Sequence, residues 1–242
     1  MDAVQIPDTI AQIERWISLR ERMHYVAVTG MHGVTEAQGD PAFRKILNSA
    51  DLVVPDGMPL VWLGRRAGQR LPRRVYGPEL MESFFRSTGT VYRHFLYGGA
   101  EGVAERLAKT IAARFGVEMV GTYSPPFRPL SAEESDDIIA RINRTRPDVV
   151  WVGLSTPKQE RWMHDHSDRL DAPVAIGVGA AFDMLAGLKK MAPPWMQEHG
   201  FEWLYRLGQE PRRLWRRYLV GGAKFGSYLA LERAGLRRLP PT

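Results

Sequence analysis

The chain of 242 residues contains no cysteine, so a disulfide and a thiolate metal site are both excluded. This absence fits a reducing compartment. A long apolar run is also missing, because the longest apolar region, residues 172–188, is interrupted by Asp183 and by glycines and is too broken to span a bilayer. The N-terminal residues lack the basic start and apolar stretch of a secretory signal. We therefore expect a cytoplasmic protein.

Several motifs with known chemistry are absent as well. The sequence has no HExxH, no GxSxG and no GxxxxGK[ST] phosphate loop. Its GGxxG at residues 98–102 differs from the dinucleotide fingerprint GxGxxG. The adjacent acids Asp136 and Asp137 do not form the Asp-x-Asp pattern that holds a metal-bound nucleotide sugar. We predict no metal site and no cofactor.

The positive charge is concentrated at one end. The formal net charge is +6, and the segment from Arg206 to Arg238 alone carries +7, which leaves the remainder near −1. A nearly neutral body with one basic end suggests an anionic partner at that end. The alternative is a solvated helix face.

Short β-rich runs alternate with helical patterns along the chain. Several of the runs are apolar at consecutive positions, as expected when both faces of a sheet are covered. We predict an α/β fold with a mostly parallel, Rossmann-like sheet and helices on both faces. The predicted strands are residues 24–29, 51–55, 93–98, 117–122, 148–154 and 173–179. The predicted helices are roughly residues 7–21, 35–49, 58–68, 78–88, 101–115, 131–145 and 156–169.

The pattern changes after about Met191, where Ala-Pro-Pro at 192–194 is followed by a Trp- and Arg-rich helical segment. We predict a catalytic α/β core over residues 1–191 and a basic, aromatic-rich appendage over residues 192–242. In the appendage Gly221, Gly222 and Gly226 weaken any single continuous helix.

Ligands of open parallel sheets bind beyond the carboxyl ends of the strands. Unusual residues follow four of the predicted strands, which suggests one shared cleft. They are Asp56 and Gly57 after the second strand, Gly98 and Gly99 after the third, Lys158, Gln159 and Glu160 after the fifth, and Gly179 and Asp183 after the sixth.

Each of these features has a structural alternative. Asp56 lies in a Pro-Asp-Gly turn, which is ordinary loop chemistry. Gly98 and Gly99 open either a phosphate-binding helix N-terminus or a tight turn. Glu160 lies at the position where a capping box that begins at Ser155 or Thr156 commonly has an acidic residue, so its role could be structural.

Two further candidates contain charged residues. Asp183 lies in an apolar helical stretch and needs a partner, so an ion pair or a cap explains it as well as a ligand does. Arg74, which precedes Gly77 and a Gly-Pro turn, either holds an anion or is solvated. Lys158 and Gln159, in contrast, place a cation and an amide at the start of a helix. We predict that they bind a phosphate and the edge of a sugar or base.

The densest segment is FEWLYRLGQEPRRLWRRYL at 201–219, in which arginines alternate with Trp and Tyr. Guanidinium groups suit diphosphates, and aromatic rings suit a membrane interface or nucleic-acid bases. The mixed apolar and basic residues that follow are typical of a segment lying on an anionic bilayer.

Taken together, these segments resemble the WecG/TagA/CpsF glycosyltransferases, family 26 of the sugar transferases. The resemblance covers about residues 25–231 and depends on six motifs in order. They are ADLVVPDGMPLVW, RVYGPELM, FLYGG, VVWVGLSTPKQERWM, GVGAAFD and APPWMQEHGFEWLYRLGQEPRRLWRRY.

The resemblance implies an inverting, metal-independent enzyme that moves a sugar from a UDP-sugar to a sugar linked through diphosphate to a polyprenol, in bacterial surface polysaccharide synthesis. It also implies that Arg206, Arg213 and Arg216 come over the active site at the membrane. The chain departs from the family pattern at Gly30-Met31, where many relatives have an Asn, and at Ser155, where a glycine is common. Both departures put the identity of the donor in doubt.

On this interpretation Asp56 is the general base and Thr29 positions it or the acceptor. The departing UDP is bound by the Gly98-Gly99 backbone, Lys158 and the appendage arginines, while Gln159 and Glu160 contact the donor's sugar or uracil. The other predicted substrate-binding residues are Gly57, Arg74, Gly77, Gly179 and Asp183.

The appendage is expected to dock on the anionic inner face of the cell membrane. The oligomeric state stays open, a homo-oligomer included. Two alternatives remain: a basic nucleic-acid-binding protein without transferase activity, and a dehydrogenase-like nucleotide-binding protein. The preferred interpretation involves no nucleic acid.

Overall fold

The computed structural model describes residues 1–235, and residues 236–242, the end of the predicted appendage, lie outside the described part. Its six strands form one sheet in the order β2-β1-β6-β5-β3-β4, and every neighbouring pair is parallel. The predicted fold class is confirmed. The strands are β1 His24–Thr29, β2 Leu52–Pro55, β3 His94–Gly98, β4 Met119–Tyr123, β5 Val149–Gly153 and β6 Val174–Gly177.

Helices connect the strands and continue after the last one. Those of the sheet layers are α1 Ile6–Leu19, α2 Met31–Gly39, α3 Pro41–Asn48, α4 Met58–Arg66, α5 Gly77–Thr88, α6 Val103–Phe115, α7 Ala132–Arg144, α8 Lys158–Asp165 and α9 Ala181–Leu185. The C-terminal segment contains α10 Pro194–Glu198, α11 Glu202–Gln209, α12 Pro211–Trp215, a π-helical turn at Arg216–Val220 and α13 Gly221–Arg233.

Both faces of the sheet are buried, which explains the consecutive apolar residues in the strands. In β5, Trp151 packs into a core that includes residues of α1, α5, α6 and α9, while its neighbours Val150 and Val152 pack into a second core with α7 and α8. Burying one side chain of this size contributes roughly 1.5–3 kcal/mol. The two cores therefore lie on opposite faces of the sheet.

The helix predicted at residues 35–49 is in fact two helices. Asp40 has extended backbone angles, and its Oδ1 accepts a hydrogen bond of 3.0 Å from the backbone N–H of Phe43. Pro41 follows it and cannot donate a helical hydrogen bond. Asp40 therefore caps a new helix, α3, and the preceding helix begins earlier than predicted, at Met31.

The expectation that three glycines weaken the C-terminal helix is not met. Gly221, Gly222 and Gly226 all lie within α13, which continues the π-helical turn without a break. Phe225 is buried, and a Cβ at Gly222 would lie 3.8 Å from Cε of Met31 on α2. Packing against the core offsets the cost of about 1 kcal/mol per helical glycine.

The parallel topology brings the carboxyl ends of four adjacent strands, β2, β1, β6 and β5, to one edge of the sheet. The C-terminal helices lie over this edge, because Glu202 of α11 pairs with Arg74 of the α4–α5 connection and α13 contacts α2. Residues far apart in sequence therefore surround a common cleft.

Candidate active site

The turn that carries Asp56 is fixed by its neighbours. The Asp56 N–H donates to the carbonyl of Thr29 at 2.8 Å, and the carbonyl of Pro55 accepts a 2.8 Å hydrogen bond from the N–H of Val75. Gly57 has φ +132°, in the region that favours glycine, and a Cβ at Gly30 would lie 2.6 Å from the Asp56 carbonyl oxygen. The turn therefore holds Asp56 at the ends of β1 and β2.

Asp56 lines a cavity of about 280 Å³, hereafter the Asp56 cavity. A smaller extension of about 40 Å³ reaches Gln159 and Gly179 at the ends of β5 and β6. The Asp56 cavity is closed from the C-terminal side by side chains of α11 and the π-helical turn. Its charged residues are Asp56, Arg74, Glu202, Arg206 and Arg217.

An ion pair ties the two walls of the cavity together. Arg74 Nη1 lies 2.5 Å from Glu202 Oε2, and Arg74 Nη2 donates to Gln197 Oε1 at 3.0 Å. The guanidinium also lies 4.0 Å from the ring centroid of Tyr76, and Arg206 is 4.0 Å from the other oxygen of Glu202. Arg74 is therefore held in place by the C-terminal helices rather than solvated.

The surroundings of Asp56 change its acidity. Burial raises the pKa of its carboxyl from a usual value of 3.8 to about 6, and the charge of Glu202 acts in the same direction. The guanidinium groups of Arg74, Arg206 and Arg217 oppose the rise. A carboxylate with a pKa close to neutral is suited to accept a proton from a substrate.

Arg217 shares this cavity with Asp56, whose charge acts on its guanidinium. Its Nε is buried without a hydrogen-bond partner within the described residues, and burial lowers the pKa of its guanidinium, with Arg206 and Arg213 acting in the same direction. Such a group is costly to bury unless an anion joins it. The sequence motifs pointed to Arg213 and Arg216, and Arg217 was not among the predicted site residues.

Arg213 and Arg216 lie beside the Asp56 cavity instead. Both are exposed, Arg213 pairs with Glu210, and Arg216 lies 5.3 Å from the ring centroid of Trp215. They line a separate cavity of about 470 Å³, hereafter the cationic cavity, together with Arg217 and Lys224. Arg206, by contrast, lines the Asp56 cavity as predicted.

The end of β5 forms a buried polar network. The Thr156 hydroxyl donates to Glu160 Oε1 at 2.7 Å, and the Gln159 amide donates to the same oxygen at 3.2 Å. Glu160 therefore does not form a capping box, and α8 begins at Lys158 without a side-chain cap. Burial raises the pKa of Glu160, although both hydrogen bonds oppose the rise.

Three buried oxygens at this edge have no hydrogen-bond partner within residues 1–235: Thr29 Oγ1, Gln159 Oε1 and Glu160 Oε2. Buried polar atoms are nearly always paired in folded proteins. Gln159 also lines the extension of the Asp56 cavity, which suggests that a ligand there completes its Oε1.

Other predicted site residues lie outside these cavities. Lys158 is exposed, and Asp183 pairs with Lys189 at 2.6 Å, which is the structural alternative considered for it. Gly98 is the last residue of β3, one strand beyond β5, and Gly99 follows it; their φ values are +126° and +77°. A Cβ at Gly77 would lie 3.1 Å from the Val178 carbonyl oxygen, so this glycine allows α5 to pack on the end of β6.

His32 is a site residue that the sequence did not indicate. It lines both the Asp56 cavity and the cationic cavity, and its Nδ1 lies 3.7 Å from Glu36 Oε1. Burial, and then the charge of Arg217, lower its pKa to about 4, so the ring is neutral at pH 7. No motif surrounds it, and only the position of α2 after β1 brings it to the cleft.

Within residues 1–235, no three His, Asp or Glu side chains cluster in a way that could hold a metal ion. The same part of the chain has no helix that is both long and apolar enough to cross a membrane.

Comparison with known proteins identifies the class. A family model described as "Glycosyl transferase WecG/TagA/CpsF family" matches residues 1–239. The chain belongs to this family and is a glycosyltransferase. It is therefore not the dehydrogenase-like protein considered above, nor a nucleic-acid-binding protein without transferase activity.

Relatives from three bacteria share the name N-acetylglucosaminyldiphosphoundecaprenol N-acetyl-beta-D-mannosaminyltransferase. The one from Bacillus spizizenii (strain W23) is 33% identical over 204 residues, which cover 84% of this chain and 77% of the relative. The relative from Bacillus subtilis (strain 168) is 30% identical over 181 residues, which cover 74% of this chain and 69% of the relative. The relative from Staphylococcus aureus (strain MW2) is 29% identical over 184 residues, which cover 76% of this chain and 71% of the relative.

The raised pKa of Asp56 predicts that its charge destabilises the fold. Between pH 4 and 6 the folded state binds more protons than the unfolded state, so the free energy of unfolding falls as the pH rises through this window. We expect Asp56→Asn to raise the free energy of unfolding at pH 7 by up to about 3 kcal/mol and to have little effect at pH 4. Urea titrations at the two pH values measure the difference.

Asp51→Asn is the matched control. Although burial alone would raise the pKa of Asp51, hydrogen bonds from Arg22, His24 and the Tyr25 N–H lower it overall. This variant is expected to lose stability at pH 7. A loss of stability in Asp56→Asn as well would show that the Asp56 charge is not destabilising.

Proposed function

We propose that this chain is an inverting glycosyltransferase that moves a hexose, N-acetylhexosamine or uronic-acid derivative from a UDP-sugar to a polyprenyl-diphosphate-linked sugar in bacterial surface polysaccharide synthesis. The name shared by its relatives, which specifies a sugar donated to a diphosphoundecaprenol-linked sugar, supports the class of acceptor. The observation that carries the proposal is that the Asp56 carboxylate shares a cavity with Arg206 and Arg217, and that the Arg217 Nε has no hydrogen-bond partner within the described residues.

Asp56 acts as the general base. The acceptor hydroxyl attacks the anomeric carbon of the donor and gives its proton to the Asp56 carboxylate, while the bond from that carbon to the diphosphate oxygen breaks. One displacement inverts the anomeric centre. Thr29 lies on the adjacent strand end, where its carbonyl accepts the Asp56 N–H, and in this proposal it positions Asp56.

Cationic side chains stabilise the departing diphosphate. In this proposal Arg217 and Arg206 contact it directly, because both line the Asp56 cavity, and no metal is required. Gln159 and the Gly179 backbone lie in the extension of the cavity and contact the donor's sugar or uracil. Lys158, Gly98, Gly99 and Asp183 have no direct role.

The C-terminal helices also dock on the anionic face of the cell membrane. Trp195, Phe201, Trp215 and Leu219 are each between 44% and 58% exposed, and they belong to a segment rich in arginine. Exposed aromatic side chains next to basic ones suit the interface of an anionic bilayer.

Activity should follow the ionisation of Asp56. Because the base must be deprotonated, kcat/KM is expected to fall about tenfold per unit as the pH drops below about 6. Asp56→Asn should lower kcat by about 10²–10⁴-fold and remove this acidic limb. The assay measures UDP release from a panel of UDP-sugars with a polyprenyl-diphosphate N-acetylglucosamine acceptor. An unchanged kcat in Asp56→Asn would exclude it as the base.

Replacing Arg217 should cost more than replacing Arg213. Arg217→Gln removes the buried cation and is expected to lower kcat by roughly 10²-fold, as loss of a donor to a developing charge does. Arg213→Gln, on the exposed wall and paired with Glu210, should lower it by less than about tenfold. Steady-state kinetics and UDP inhibition constants compare the two variants. Equal losses, or a larger loss in Arg213→Gln, would contradict the role of Arg217.

Membrane docking predicts vesicle binding that depends on charge and on exposed apolar side chains. The wild type should cosediment with phosphatidylglycerol-containing vesicles, less so at high salt, and only weakly with pure phosphatidylcholine. Trp215→Ser with Leu219→Ser should reduce binding several-fold. Val91→Ser, at a 72% exposed site outside the C-terminal helices, is the control. Equal binding by all three proteins would exclude docking through this segment.

A further inference from the structure

A third cavity adjoins the Asp56 cavity through a different wall. It has a volume of about 540 Å³ and lies between α4, the start of α5 and α10, and we refer to it as the α4–α5 cavity. It shares Met58 and Arg74 with the Asp56 cavity. The cationic cavity instead shares His32, Thr156 and Arg217 with the Asp56 cavity. The α4–α5 cavity and the cationic cavity have no lining residue in common.

The two side cavities differ in charge. The cationic cavity has four Lys or Arg residues and one carboxylate, Glu36. The α4–α5 cavity has three arginines and three glutamates, so its charges balance. A diphosphate is bound by an excess of cations, whereas sugar hydroxyls both donate and accept hydrogen bonds and suit a mixed set of guanidinium and carboxylate groups.

A single displacement requires that the donor and the acceptor reach the Asp56 cavity from two different sides. The attacking hydroxyl and the leaving diphosphate must lie on opposite faces of the anomeric carbon. If the donor's diphosphate lies toward Arg217, the acceptor has to approach from another wall. Arg74, which faces both Asp56 and the α4–α5 cavity, marks that wall.

The rim of the α4–α5 cavity also suits a lipid-linked sugar. Trp62 of α4 and Trp195 of α10 belong to two helices that line it, and they are 48% and 58% exposed. Arg73 is 68% exposed and makes a single ion pair, at 3.4 Å, with Glu79. Exposed indole rings on the flanking helices, together with a weakly paired arginine in the lining, match a lipid diphosphate at a bilayer surface.

We propose that the α4–α5 cavity binds the saccharide of the lipid-linked acceptor, with Arg73 at its rim meeting the acceptor's diphosphate. This inference rests on the proposed function, because it divides the two substrates of that reaction between two entrances. Glu79 accepts hydrogen bonds from the acceptor sugar, and Arg74 lies where the two cavities meet, which is where the attacking hydroxyl reaches Asp56.

The test separates the Michaelis constants of the two substrates. Arg73→Gln and Glu79→Gln change partly exposed side chains and are expected to fold normally, which their thermal midpoints check. With a short-chain polyprenyl-diphosphate N-acetylglucosamine as the probe, each should raise the acceptor KM about five- to tenfold. The donor KM and the UDP inhibition constant should stay within about twofold of the wild type.

Lys224→Gln, in the cationic cavity, is the matched control. It removes one partly exposed charge in the same way, but it should raise the donor KM and leave the acceptor KM unchanged. An unchanged acceptor KM in Arg73→Gln and Glu79→Gln, or an increase in the donor KM instead, would overturn the assignment. A wild-type protein that transfers sugar from no UDP-sugar would instead overturn the proposed function, and this assignment with it.

Discussion

The ion pair between Arg74 and Glu202 is the contact on which the site depends. It joins the connection after β2 to α11, and both side chains are about nine-tenths buried. Removing either partner would leave an uncompensated charge in the cleft, which is far more costly than losing an exposed pair. Through this pair the C-terminal helices bring Arg206 and Arg217 to the carboxylate of Asp56.

The site is built from groups whose burial is unfavourable. Asp56 has lost hydration, the Arg217 Nε has no partner among the described residues, and three oxygens at the ends of β1 and β5 are unpaired there as well. Asp51, by contrast, pairs with Arg22 and His24 and accepts a hydrogen bond from the Tyr25 N–H. Functional sites commonly hold such unfavourable groups, and the apolar cores on both faces of the sheet offset their cost.

Much of the fold was predictable because it follows from local patterns. All six strands were located to within a few residues, since most are buried on both faces and largely apolar at consecutive positions; β4, at the edge of the sheet, is only partly buried. Two helical details were wrong. Asp40 and Pro41 divide one predicted helix because a capping carboxylate and a missing N–H act together. The glycines of α13 remain helical because tertiary packing outweighs intrinsic propensity.

The parallel α/β architecture, the Pro-Asp-Gly turn that carries Asp56 and the unusual residues at the strand ends all follow from local sequence patterns. Which of the C-terminal arginines faces the carboxylate depends instead on how the helices pack. The burial of Leu214 defines the inward face of the C-terminal helix, and Arg217, three residues later, lies on that face. Arg213 and Arg216 are exposed on the other side. Four arginines at neighbouring positions look equivalent in a sequence. The phase of a helix around its axis, set here by the packing of Leu214 and Phe225 and by a π-helical turn, distinguishes them.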